Sequence, residues 1–453
     1  MFTPRSQKNK ESLFSIFFAL FFIVTCFCGC NNGVSDNEED GNDSAFTGET
    51  STQWDYISVK QIDARGLLSP RISASVDSNN QVHIAYFESN VPQDSEEDTI
   101  YNINYVVWNM ETLSGNDEES AIEVDNCSGL GFALDFSGFP VVAYQGGTVR
   151  ECGQELQSDA MFSIREGDQW QEYLGGIGEI DEDRNPVFQD GLAGADMSVA
   201  FDSQGDIHIC YQFRYEGCDA MNFAFPDIYY VKKDRSNLND PGIEEQVEGN
   251  TYEGFSVGYQ NNVGDHCDIT IDGNDEPAVF YYAELDNYTK GLRIARRQSG
   301  VWVTGWVEEG CEVGHISAAR DNNGRLAVAY YATQYTDGQG DSHAHCLKYA
   351  QESEDSSWNI QLVDEASLCG DYCSLAFDSS GTPGIAYYEM ESHSGYSLNN
   401  LKLARFNGTS WDTEVVASTG DVGLYNSLLF DESNSPLICS YSSTEKEIYI
   451  FFE

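Results

Sequence analysis

Positive charge is scarce in this chain: 23 Lys and Arg stand against 75 Asp and Glu, a formal net charge of −52 over 453 residues. A surface of that sign repels phosphate backbones and anionic lipid, which excludes nucleic acid as a partner. It suits cationic ligands, Ca²⁺, or simple solubility outside a cell. Long apolar runs are as rare. The only one is Leu13 to Cys28, and a spanning helix needs about 20 apolar residues. Beyond it no window repeats apolar residues at the helical period, which excludes a helix-rich fold. A P-loop, a dinucleotide fingerprint and a nucleophile elbow are all missing. The Gly-rich stretches are turns.

What the chain has is a repeat. Seven times a strand of small residues runs into an Asp-led turn and then an apolar strand ending in Tyr. Its clearest copy is Ser374-Leu375-Ala376-Phe377-Asp378-Ser379-Ser380-Gly381-Thr382-Pro383-Gly384-Ile385-Ala386-Tyr387-Tyr388. The turn aspartates are Asp77, Asp135, Asp202, Asp272, Asp321, Asp378 and Asp431, spaced 49 to 70 residues apart. Asp in such a turn bonds its own backbone, a structural task. Two further strand-like runs follow in each unit, as in Leu401 to Arg405 and Trp411 to Val416. Four short strands make one propeller blade. The last unit stops one strand short, and Trp54 to Ile62, before the first unit, matches the missing Trp-led strand. The fold expected is therefore an all-β, seven-bladed propeller over residues 53–453, its last blade closed from the N-terminus. The repeat resembles those of secreted bacterial and archaeal β-propeller proteins, broadly sialidase-like in architecture. That resemblance implies the fold and little about activity. The sialidase Asp-box is a different motif and does not occur.

Residues 1–29 have the layout of a secretory signal: Arg5, Lys8 and Lys10, then the apolar run, then Phe27-Cys28-Gly29-Cys30. The ending resembles a bacterial lipobox, which implies cleavage before Cys30 and lipid on its thiol. A short uncleaved anchor is the alternative. Residues 30–52 are polar and acidic and read as a disordered tether. The expected location is the bacterial cell envelope, lipid-anchored at the outer membrane or cell surface, with no other membrane contact and a monomeric body. Ten cysteines remain for an oxidising compartment. Cys210 and Cys439 fall on apolar strands as small hydrophobes. Topology suggests the pairs Cys127–Cys152, Cys218–Cys267, Cys311–Cys346 and Cys369–Cys373.

Six residues before each turn Asp the repeat loses its regularity: Arg71, Gly129, Asp196, His266, His315, Tyr372 and Tyr425. Two positions after His266, Asp268 replaces the usual Ser. A framework that varies at one polar ring suggests a binding mouth there, although strand entries are commonly polar. His343, His345 and His393 fall in loops on the same side, while His83 and His208 fall in second strands and read as structural. His343, His345 and Asp265 could hold a divalent metal, and acidic turns such as Asp272 to Glu276 offer oxygens to Ca²⁺. Neither cofactor is firmly indicated.

Two functions follow from this. The first is a non-catalytic, surface-tethered binding or scaffold module for glycan or protein. The second is a polysaccharide lyase or glycoside hydrolase, with His266, His315, Tyr372 and Arg71 as catalytic candidates, similar to the His/Tyr/Arg sets of some propeller lyases. The address has its own test. Cys30→Ala should move the protein from the membrane fraction to the soluble fraction and abolish labelling by radioactive palmitate; unchanged partitioning would overturn lipid anchoring.

Overall fold

The computed structural model describes residues 54–62, 71–89, 101–116, 118–124, 129–146, 159–176, 191–215, 226–249, 261–285, 288–336, 342–343, 345–365, 368–393 and 396–453. Those residues form seven antiparallel sheets and no helix. Every sheet is a blade of the expected four strands, with a two-residue strand added in blades one and five. The innermost strands are Ile72–Val76, Leu130–Leu134, Gly191–Phe201, Asn262–Ile271, Glu312–Arg320, Leu368–Phe377 and Val422–Phe430. Each packs against the next, and the seventh packs against the first, so the ring is closed. The closure is the one read from the chain ends. Asp55–Gln61 pairs antiparallel with Glu447–Phe452, from Asp55 opposite Phe452 to Gln61 opposite Glu447.

The core is a set of slabs between neighbouring blades. Tyr330, Val328 and Leu326 of blade five pack on Phe280, Leu292 and Val307 of blade four, and equivalent clusters fill the other six interfaces. Alternation explains this, since a blade buries both faces and its strands read as nearly continuous apolar runs.

Three devices recur. In all seven turns Oδ1 of the Asp accepts the backbone N–H groups two and four residues on, at 2.8–3.0 Å. The turn aspartates are structural, as expected. In blades one and three the same Asp also faces a buried histidine, His83 and His208, whose other nitrogen meets Tyr105 and Tyr230. Those histidines too are framework.

The second device ties blades at their outer ends. Tyr387 and Lys402 of blade six both donate to Asp364 of blade five at 2.6 Å. Tyr330 and Lys348 reach Glu308 of blade four in the same way, and Tyr281 and Arg293 reach Glu248 of blade three. Lys402 and Asp364 are each only 9 % exposed, so losing one partner would strand a buried charge.

The third device runs around the channel. Ser317 Oγ accepts the N–H of Leu375 on the next blade at 2.9 Å, Ser374 accepts that of Leu428 at 2.9 Å, and Ser427 accepts that of Ala74 at 3.0 Å. The small residues expected at the crowded centre are thus also inter-blade hydrogen-bond acceptors.

The cysteine pairings fare differently. Cys311, Cys346, Cys369 and Cys373 are buried, and no disulfide joins Cys311 to Cys346 or Cys369 to Cys373 in this structure. Cys369 Sγ faces the Asp364 carbonyl at 3.1 Å and Cys373 Sγ that of His315 at 3.2 Å, pointing them at different strands. Cys311 and Cys346 fill the slab between blades four and five, and burial pushes the Cys311 thiol up to about 12. Cys267 is free, while Cys30, Cys127, Cys152 and Cys218 lie outside the described residues.

Ring closure by the N-terminal strand predicts a specific truncation effect. A chain starting at Asp63 loses the buried Trp54 and Ile62, each worth about 2–5 kcal/mol, and bares the edge of Glu447–Phe452. It should unfold at lower temperature and aggregate, relative to a chain starting at Gln53. Equal melting curves would show that the strand does not close the ring.

Candidate functional site

The irregular ring sits where the innermost strands leave regular pairing. Pairing shifts register between Asp265 and Asp268, between Gly314 and Ile316, between Asp371 and Ser374, and between Leu424 and Ser427. At these bulges His266, His315, Tyr372 and Tyr425 have φ of 53°, 33°, 49° and 53°. Left-handed backbone at a bulky residue costs of order 1–3 kcal/mol and survives only where its surroundings impose it. Here the constraints are visible. His266 N–H donates to Asp196 Oδ2 at 3.2 Å, and Asn426 Nδ2 donates to the carbonyls of Tyr372 and Gly423 at 3.1 and 2.8 Å.

The four side chains form a continuous arc over blades four to seven. Ring centroids are 5.2 Å apart for His266 and His315, 4.2 Å for His315 and Tyr372, and 4.6 Å for Tyr372 and Tyr425. Tyr388 meets Tyr372 edge-on at 6.0 Å. Gly314 keeps the centre open, since a Cβ there would lie 3.3 Å from the Tyr331 ring and 4.0 Å from His266 Nε2. Across the mouth Arg71 donates through both terminal nitrogens to Asp196 Oδ1 at 3.1 Å. The blade between them contributes only Gly129, whose added Cβ would strike the Gly194 carbonyl at 2.1 Å.

His315 Nδ1 is paired with Asp371 Oδ1. Burial would raise the Asp371 carboxyl, but the charge and hydrogen bond of His315 outweigh it and hold the group low. Asp196 is likewise held low despite burial, through Arg71 and His266. Burial holds His266 itself below the usual imidazole value, against the pull of Asp196, so it is neutral near pH 7. Burial, then the neighbouring Tyr425 and Asp371, push the Tyr372 phenol far up, which keeps its proton in place.

Of the residues read as a mouth, Arg71, Asp196, His266, His315, Tyr372 and Tyr425 come together. Asp268 belongs to the layer below. It takes the serine place in the channel belt, accepting Ala318 N–H at 2.6 Å on one oxygen and Ile269 N–H at 2.9 Å on the other, which also takes the Ser198 hydroxyl. His345 stacks on Tyr331 at 5.7 Å and shares a hydrogen bond with its hydroxyl, whereas Asp265 is bonded by Gln212. The two thus face different partners, and the side chains of His343 and His393 lie outside the described residues. Among the described residues no group of three His, Cys, Asp or Glu side chains is placed to hold a metal ion. Asp371, Tyr331, Tyr388 and Asn426 were not singled out by sequence. Asp371 could have been found from its register, one residue before the ring as Asp265 is.

No family model matches the chain, and no curated protein does. Solved structures do. A polysaccharide lyase described as an ulvan lyase superposes with a TM-score of 0.51 at 11 % identity, over 87 % of this chain and 93 % of that one. The same enzyme bound to -[GlcA(1-4)Rha3S]- gives 0.50 at 11 % identity, with the same coverage. A Hadza microbial sialidase gives 0.46 at 12 %, over 79 % of this chain and 73 % of its own. The likeness is one of fold.

Asp268 yields a pH prediction. Burial, opposed by its three donors, pushes its carboxyl up to about 6, above the ordinary unfolded value. The folded state therefore binds more protons than the unfolded state between about pH 4 and 6, and stability falls as pH rises through that window. Asp268→Ser restores the regular belt, freeing Ser198 to accept from Ile269. The variant should gain on wild type by on the order of 2 kcal/mol between pH 4.5 and 7.5, measured by urea unfolding. A pH-independent difference would refute the assignment.

Proposed function

We propose that the channel mouth is a glycan site that performs acid–base chemistry, in a propeller tethered to the cell envelope through lipid on Cys30. The observation that carries this reading is the His266–His315–Tyr372–Tyr425 arc, held in left-handed backbone with a carboxylate on His315 Nδ1. A propeller does not need that strain, since blades one to three close the ring without such an arc. Flat aromatic faces in a half-buried, polar mouth suit the apolar faces of sugar rings.

The chemistry follows from the pairing of the rings. Nδ1 of His315 is engaged by Asp371, which turns Nε2 toward the mouth side of the ring and casts the neutral imidazole as the general base. Tyr372 keeps its phenolic proton beside that ring and is the matching acid. The base takes a proton from water, whose oxygen attacks the anomeric carbon, and Tyr372 gives its proton to the leaving glycosidic oxygen. His266, neutral and next to His315, contributes hydrogen bonds without adding charge. The fold shared with an ulvan lyase is compatible with a glycan site, and that enzyme's bound uronate–sulfate chain supplies the anionic control of a screen.

The test is a polysaccharide-degradation screen of residues 53–453, following new reducing ends. His315→Ala and Tyr372→Phe should each lower kcat/KM about 10²–10⁴-fold on the responding polymer, with melting temperatures near wild type. Degradation unaffected by either change, or glycan binding with no degradation at all, would overturn the catalytic assignment.

A further inference from the structure

We infer that the glycan taken by this mouth carries no carboxylate or sulfate groups and that amino-bearing sugars are preferred; the inference rests on the glycan reading above. The charges around the mouth decide this. One guanidinium, Arg71, faces the described ring, and both of its terminal nitrogens are engaged by Asp196. Opposite it stand Asp371, engaged by His315, and Asp265, engaged by Gln212, with Asp268 in the layer beneath. The mouth thus sets Asp196, Asp265 and Asp371 against one fixed cation, inside a chain of net charge −52.

A polyanionic ligand meets that field twice. Long-range repulsion slows its approach, and at the mouth each of its charges would have to displace Asp196 from Arg71 to find a partner. Protonated amines meet the opposite case. They are drawn in by the same field, and an ammonium over Tyr372 or Tyr425 gains a cation–π contact with Asp371 close by. Neutral sugars stack on the arc with neither term and rank between.

The probes are glucosamine hexamer, its N-acetylated form and galacturonate hexamer, titrated calorimetrically at about pH 6, at low and at high NaCl, against wild type and Tyr372→Ala. Glucosamine hexamer should bind about tenfold more tightly than the acetylated chain at low salt, the gap should narrow as salt rises, and galacturonate should bind weakest. Tyr372→Ala should weaken binding of the first two. An amine preference of equal size in Tyr372→Ala would place it on the acidic surface at large and overturn the assignment to the mouth. Tyr372-dependent binding that is strongest for galacturonate would overturn the charge inference while leaving the glycan site intact. Tyr372-independent binding of every probe, or none at all, would overturn the glycan reading itself.

Discussion

The innermost strand of each blade is a sheet edge, with one row of N–H and C=O groups turned away from its own blade. Seven such edges face one channel, and an edge left bare is both unsatisfied and sticky. Side-chain acceptors answer part of that demand: Ser317, Ser374 and Ser427 each cap an N–H on the next blade, and Asp268 does so for Ala318. The contact from Ser427 to Ala74 crosses from the last blade to the first, at the interface where the chain must also find its own beginning. A residue larger than Ser in these places crowds the channel and must be bonded on every side, as Asp268 is by Ala318, Ile269 and Ser198. One smaller would leave a buried donor unpaired, at a cost of about 1–3 kcal/mol. At Gly131 the blades instead approach until an added Cβ would lie 3.2 Å from Ser198 Cα.

The same edge explains where chemistry can be placed. Above the belt the strands bulge, and a bulge re-aims a side chain while ending regular pairing. In blades four to seven it does both, turning His266, His315, Tyr372 and Tyr425 toward one another. Their left-handed backbone is sustained by bonds from the ring itself, such as Asp196 to His266 N–H and Asn426 to the Tyr372 carbonyl. Site and scaffold therefore share contacts, yet the belt one layer down bears the inter-blade load. Ring residues can differ from blade to blade because the belt, rather than their side chains, carries that load.

That division decides what the sequence discloses. Framework residues recur, so the blade count, the turn aspartates and the closing strand at Trp54 to Ile62 were legible from spacing alone. The ring was legible as the place where recurrence fails. Its geometry was not, because left-handed φ at His315 or Tyr372 leaves no mark in residue type; bulky side chains argue against it. Asp371 escaped notice as one carboxylate among 75 acidic residues, and only the fold sets it on His315 Nδ1. The cysteine pairing was not legible for a related reason. Loop proximity in a blade diagram does not fix the direction of Sγ, and Cys369 and Cys373 point at different strands of blade five. Asp268 was read with the mouth because its departure from Ser resembled the ring's variation, although it performs the serine's task with one more oxygen.

The ring is also divided by charge. Blades one to three supply Arg71, Gly129 and Asp196, an internally neutral ion pair spanning a gap, while blades four to seven supply rings backed by carboxylates. An ion pair with two donors on one oxygen is costly to open for an incoming anion, so it acts as a wall more than as a receptor. On the function proposed above, a ligand that enters the mouth would be directed to one half of a nominally sevenfold channel, and a symmetric repeat would acquire a single oriented site without any change to the contacts that close it.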